Sequence, residues 1–181
     1  MAFARTIFWA FGISCLPFVA QAQVNAEDSI KAFMDAAKVF QHPRCTNCHA
    51  KGDGPKQTNE GREHMFNVKR GPNDRGVGGY TCKSCHQIAN IAGIPGADDW
   101  HMAPRAMSWG DATPAEICGT VTDKSRNGNR APKGVVLHVE NDILVNWAWA
   151  PGDKRSTPPL SHEDFVKLIR RWVITGGHCP K

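Results

Sequence analysis

Two five-residue stretches constrain this chain more than anything else in it: Cys45-Thr46-Asn47-Cys48-His49 and Cys82-Lys83-Ser84-Cys85-His86. Each reads C-x-x-C-H. Two thiols three positions apart on one turn can reach the two vinyl groups on one edge of a porphyrin and form thioether bonds. The histidine that follows then points its imidazole at the iron. That pattern is the attachment signal for c-type haem. Paired cysteines alone suit other chemistry, since two C-x-x-C pairs can also make a four-thiolate zinc site. A thioredoxin-like motif needs a βαβ setting, and no alternating strand pattern surrounds either pair. The histidine behind both pairs favours two haem c groups. Cys45, Cys48, Cys82 and Cys85 are then the thioether residues, and His49 and His86 the proximal iron ligands.

The N-terminus fits that chemistry. Met1 to Arg5 is a short basic region, Thr6 to Ala20 is apolar, and Ala20-Gln21-Ala22 is a cleavage site of the A-x-A type. The apolar run is too short to span a bilayer, so residues 1–22 read as a secretory signal peptide. Cys15 would be discarded with it. A lipoprotein signal ending at Cys15 wants leucine where Gly12 stands. Residues 23–181 are expected to form one dihaem domain, periplasmic and without a stable membrane anchor after cleavage.

The formal net charge of +5 falls by one with the loss of Arg5, and the propionates of two haems would nearly cancel the rest. Charge therefore gives no strong docking argument, and no nucleic-acid module is visible. Four of the remaining cysteines are taken by haem. Cys118 and Cys179 are left over, and in an exported protein two spare thiols are expected to pair as a disulfide. The alternative is two buried, unpaired cysteines.

Periodicity organises the rest. Ile30, Phe33, Met34, Ala37 and Phe40 recur at helical spacing, predicting a helix over Glu27 to Phe40 that Pro43 stops. Ala50 to Thr81 is glycine-rich and loop-like, as is Gln87 to Asp111; wrapping a haem would give such long loops a role. Thr113-Pro114-Ala115-Glu116 is a capping box that starts a helix. Val135 to Trp149 reads as helical, in two pieces broken at Asn141 and Asp142. Ser161 opens a last helix whose Phe165, Leu168, Ile169, Trp172 and Val173 form one apolar stripe, ended by Gly176 and Gly177.

The sixth iron ligands are less determined. His64 sits in the loop between the motifs, where it can fold over either haem. His138 lies on an apolar helix beside Val136, Leu137 and Val139, where a core role competes with iron. His101 and Met102 share the compact loop Trp100-His101-Met102-Ala103-Pro104. His162 reads as a first-turn helix residue, Met107 as packing, and His42 and His178 as surface. Arg44, Lys51, Lys69 and Arg70 lie near the motifs and could pair propionates, although a solvated face is the simpler reading.

Taken together, these segments resemble the small dihaem cytochromes named as isoquinoline 1-oxidoreductase subunits. The resemblance rests on Cys45–His49, His64 with Asn67-Val68-Lys69-Arg70-Gly71-Pro72, Cys82–His86, and Trp100-His101-Met102-Ala103-Pro104. It continues in Thr113 to Cys118, Leu137-His138-Val139, Leu144 to Gly152, Pro158 to His162, and Cys179-Pro180. The family pattern has His-x-Met where this chain has His64-Met65-Phe66, so His64 carries over and Met65 does not. The resemblance implies an electron carrier for a periplasmic molybdenum hydroxylase whose molybdenum and iron–sulfur subunits are separate chains.

The sequence thus predicts a mostly α fold, with cytochrome c-like helices and long haem-wrapping loops around two covalently attached haems. Its expected function is single-electron transfer between redox protein partners, with no catalytic residue of its own. The enzyme alternative is a small haem catalyst of peroxidase type with one open iron position. A zinc-ribbon interaction module is the third reading.

Overall fold

The computed structural model describes residues 16–181, with side chains from residue 23 onward. Most of the predicted signal segment, Cys15 included, lies outside the described residues. Six α-helices run in the order α1 (Leu16–Phe40), α2 (Pro43–Thr46), α3 (Pro114–Thr122), α4 (Pro132–Asn141), α5 (Ile143–Trp147) and α6 (His162–Ile174). Helix α1 begins N-terminal to the expected Glu27 and runs through the predicted cleavage site. Processing there would leave the mature chain opening inside the helix. Among the described residues no helix is long and apolar enough to cross a membrane.

The helical ends follow local chemistry. Thr113 caps α3 with its hydroxyl accepting from Glu116 N–H at 3.2 Å, while the Glu116 carboxylate accepts from Thr113 N–H at 2.8 Å. Two orphan amides are satisfied at once. Thr113→Ala should therefore lower stability by about 1 kcal/mol and the melting temperature by roughly 2–4 °C, measured by thermal unfolding. Asp142 separates α4 from α5 by leaving the helical region and accepting from Leu144 and Val145 N–H. The break predicted at Asn141 and Asp142 is thus a cap.

Helices α1 and α6 pack most extensively, with α3 and α4 beside them. The core is an aromatic chain. Phe33 meets Trp172 at 5.2 Å between ring centroids and Phe40 at 5.8 Å, and Phe40 meets Phe165 at 5.2 Å and Trp109 at 5.0 Å. Edge and tilted contacts of this kind add to simple burial. Buried Ser29 joins α1 to the C-terminus, donating to Trp172 O and accepting from His178 N–H. Cys118, fully buried on α3, sits at disulfide distance from Cys179, with Cα atoms 5.6 Å apart.

The segments expected as loops are mostly irregular, but 50–81 contains two small antiparallel ribbons. These are β1 (Lys56–Gln57) with β2 (Arg62–Glu63), and β3 (Gly76–Val77) with β4 (Tyr80–Thr81). Strands of two residues show no periodicity for a sequence reading to find. Gly76 closes the second ribbon: with φ at +90°, a Cβ there would lie 2.4 Å from Tyr80 O.

Candidate functional site

The two C-x-x-C-H stretches adopt the same local backbone. Cys48 and His49 N–H both donate to Cys45 O, at 3.2 and 2.9 Å; Cys85 and His86 N–H donate to Cys82 O at the same two distances. Each motif is a single tight turn that puts both thiols beside the histidine. The first turn is α2, with Pro43 at its start and His42 as its cap, accepting from Arg44 N–H. His42 also meets the Ser156 hydroxyl at 3.3 Å. It is a structural residue and not the surface histidine expected from sequence.

Both motif histidines are oriented in the same way. His49 Nδ1 lies 2.7 Å from Met107 O, and His86 Nδ1 lies 2.6 Å from Pro95 O. An imidazole whose Nδ1–H is donated to a carbonyl carries its lone pair on Nε2, the arrangement that metal-ligating histidines use. Each ring is also backed by a tryptophan. Trp109 stacks on His49 at 3.4 Å and 1°, and Trp100 on His86 at 4.5 Å and 4°. Trp109 is locked in turn by its indole N–H to Thr120 Oγ1. Trp100 is held by an edge contact with Trp147, whose indole N–H donates to Asn90 Oδ1. Gly96 permits this: a Cβ there would lie 2.2 Å from Ala89 O, so only glycine lets the 87–90 backbone close against the Pro95 carbonyl segment.

The electrostatics favour neutral ligands. Burial pushes the His49 pKa down to about 3, opposed by the Met107 carbonyl bond and reinforced by nearby His138 and Arg70. Burial also lowers that of His86. The Cys45 thiol is pushed up to about 12 by burial and then by Cys48, and the Cys48 thiol up to about 11 by burial and then by Cys82. The thiol pairs are not gathered on one point. Among the described residues no group of three or more His, Cys, Asp or Glu side chains is assembled as a protein-held metal ion would need.

A cavity of about 1150 Å³ opens beside the second motif, lined by Cys82, Cys85, His86 and Trp100 and reached by Cys48 of the first motif. His64 lies on its wall, 6.0 Å from His86 between ring centroids at an interplanar angle of 61°. Two imidazoles on one metal, each through a bond of about 2 Å, are separated by a gap of this size. The His64 Nδ1 is 2.8 Å from Met65 O, which again leaves Nε2. His101 and Met102 also line the cavity, with His101 Nδ1 held by Asp99 O. His138 is in a different place, near His49, with its Nδ1 3.2 Å from the Asp142 carboxylate. The structure therefore brings His64 to His86 and His138 towards His49. His162 lies outside the cavity lining, with its Nε2 2.7 Å from Val139 O and its ring packed on Trp149, in keeping with its reading as a first-turn helix residue. Met107 is buried in the core and contributes its carbonyl.

The group implied by the motifs fits these residues. The cavity takes in both thiols of the second motif and Cys48 of the first, the motif imidazoles leave Nε2 free of the carbonyl bond, and Arg44 and Arg70 are buried beside the motifs with Nε–H groups that find no protein acceptor. The expectation of a solvated basic face fails for these two, at 6% and 2% exposed, and holds for exposed Lys51 and Lys69. Sequence reading missed the tryptophan backing and both carbonyl anchors; Trp100 and Trp109, in tryptophan-bearing segments after each motif, were the one available signal. Compared with known protein families, with curated proteins and with solved structures, the chain finds no match in any of the three.

Proposed function

We propose that this chain is an exported dihaem c-type cytochrome that passes single electrons between protein partners and is not itself an enzyme. One observation carries the reading: both C-x-x-C-H turns share a backbone pattern and end on a histidine whose Nδ1 meets a carbonyl. Bound haem supplies a one-electron iron couple whose potential follows its axial ligands.

The chain's own residues supply attachment, orientation and dryness. Cys45 with Cys48, and Cys82 with Cys85, tether one haem each. Met107 O and Pro95 O fix the tautomer of His49 and His86, and Trp109 and Trp100 fix the planes of the rings. His64, 6.0 Å from His86 between ring centroids, would hold the iron together with it. His138, steadied by Asp142, is the candidate opposite His49, with His101 and Met102 as alternatives nearer the cavity. The loops 50–81 and 87–111 wrap the haems and exclude water. The resemblance to small dihaem subunits supports a periplasmic molybdenum hydroxylase as the electron donor.

Expression in a host that matures c-type cytochromes tests this directly. The purified chain should keep two haems through a denaturing gel, with a mass equal to the processed polypeptide plus two haems, and both irons should be low-spin when oxidised. A colourless product overturns the proposal. A high-spin iron that binds cyanide or peroxide overturns the carrier role in favour of catalysis.

A further inference from the structure

Arg44 stands apart from the other cations of this protein. It is 6% exposed, its Nε–H has no protein acceptor, and among the described residues no carboxylate lies within ion-pair distance of it. Arg70, equally buried, is by contrast paired with Asp74. The Arg44 guanidinium donates through one nitrogen to Thr58 O at 2.8 Å and Asn59 Oδ1 at 3.1 Å, and it lies 6.0 Å from the Trp147 ring. Those contacts are neutral, and a buried charge left without a counter-charge is strongly unfavourable.

The surroundings show which charge is missing. Arg44 lines the large cavity together with Arg155, Lys154 and Lys56. Arg155 is bound to Asp153 and Pro151 O, and Lys56 to Glu63. Glu60 is the acidic group nearest to Arg44 in effect, but it is exposed and its ionic contact is Arg62, at 3.8 Å. This end of the cavity therefore carries positive charge that the chain does not balance. A planar carboxylate matches a guanidinium fork bidentately.

We propose that Arg44 is an anion anchor that binds a carboxylate inside the cavity, a propionate of the haem tethered by Cys82 and Cys85. The assignment rests on the dihaem reading. It also crosses the motifs: a residue beside the first haem signal holds the second haem.

The test uses the mature holoprotein and its R44Q and R44K variants. Both haem midpoints are followed by spectroelectrochemical titration from pH 5 to 8. In R44Q one midpoint should fall, because a cation near the iron is lost. It should also gain a pH slope that the parent lacks, because the released propionate can now take up a proton on reduction. R44K should lie between R44Q and the parent, since lysine keeps the charge without the fork. The other haem should shift less and gain no pH slope. Loss of the Thr58 and Asn59 contacts alone would lower thermal stability without creating a slope. Parental midpoints and slopes in R44Q overturn the anchor, as they do in R44K should R44Q mature with fewer than two haems. A parent protein without two haems fails the dihaem reading itself, before any variant is compared.

Discussion

His64→Ala should convert one haem of the two from low-spin to high-spin iron and leave the other unchanged. His64 lies 6.0 Å from His86 across the cavity, with Nδ1 on the Met65 carbonyl. The turn that carries it is strained: Phe66 sits at φ 61° and Asn67 at φ 49°, and Phe66 is 76% exposed. A bulky residue in the left-handed region costs on the order of 1 kcal/mol, and here the strained turn sets His64, Met65 and Phe66 together on the cavity wall. Electron paramagnetic resonance of the oxidised protein and cyanide binding give the readout. His64→Met should keep the iron low-spin and raise its potential by on the order of 0.1 V, a fraction of the roughly 0.8 V range that axial ligation covers. An unchanged spectrum in His64→Ala moves the distal role to His101 or Met102.

The second large effect is on stability. Cys118 and Cys179 are 61 residues apart in sequence and tie α3 to the segment after α6. A loop of that length restricts the unfolded chain by about 4 kcal/mol on the chain-entropy estimate. Cys118→Ser with Cys179→Ser should therefore lower the melting temperature by roughly 10 °C. Because Cys118 is fully buried against the core while Cys179 is half-buried, the serine at 118 also leaves a hydroxyl in apolar surroundings. Cys118→Ala with Cys179→Ala separates the two contributions. Haem content should be retained, since neither residue touches the cavity.

Much of the scaffold is legible in the sequence because its signals are local. Thr113, Ser161 and Asp142 cap helices where their hydrogen-bonding chemistry says they should. The stripe of Phe165, Ile169 and Trp172 faces α1 because helical spacing puts it there. The thiol pairs and their histidines are likewise written in consecutive residues. What holds those histidines is not. Met107 and Pro95 act through backbone oxygens, which any residue could supply. Trp109 and Trp100 reach the imidazoles only once the loops have folded back. Arg44 and Arg70 look like surface residues locally, and only tertiary packing buries them. The two ribbons in 50–81 are held by a few backbone bonds, with too few side chains to leave a pattern.

The nearness of Cys48 to Cys82 has a consequence for how the molecule would charge and discharge. The two thiols lie close enough for one to raise the pKa of the other, and both open on one cavity. Haems held through Cys48 and Cys82 would therefore be neighbours. One docking face could then serve the pair. The first electron would also repel the second, spreading reduction over two separated waves even for irons with identical ligands. Such a molecule would behave as a short conductor with a built-in step.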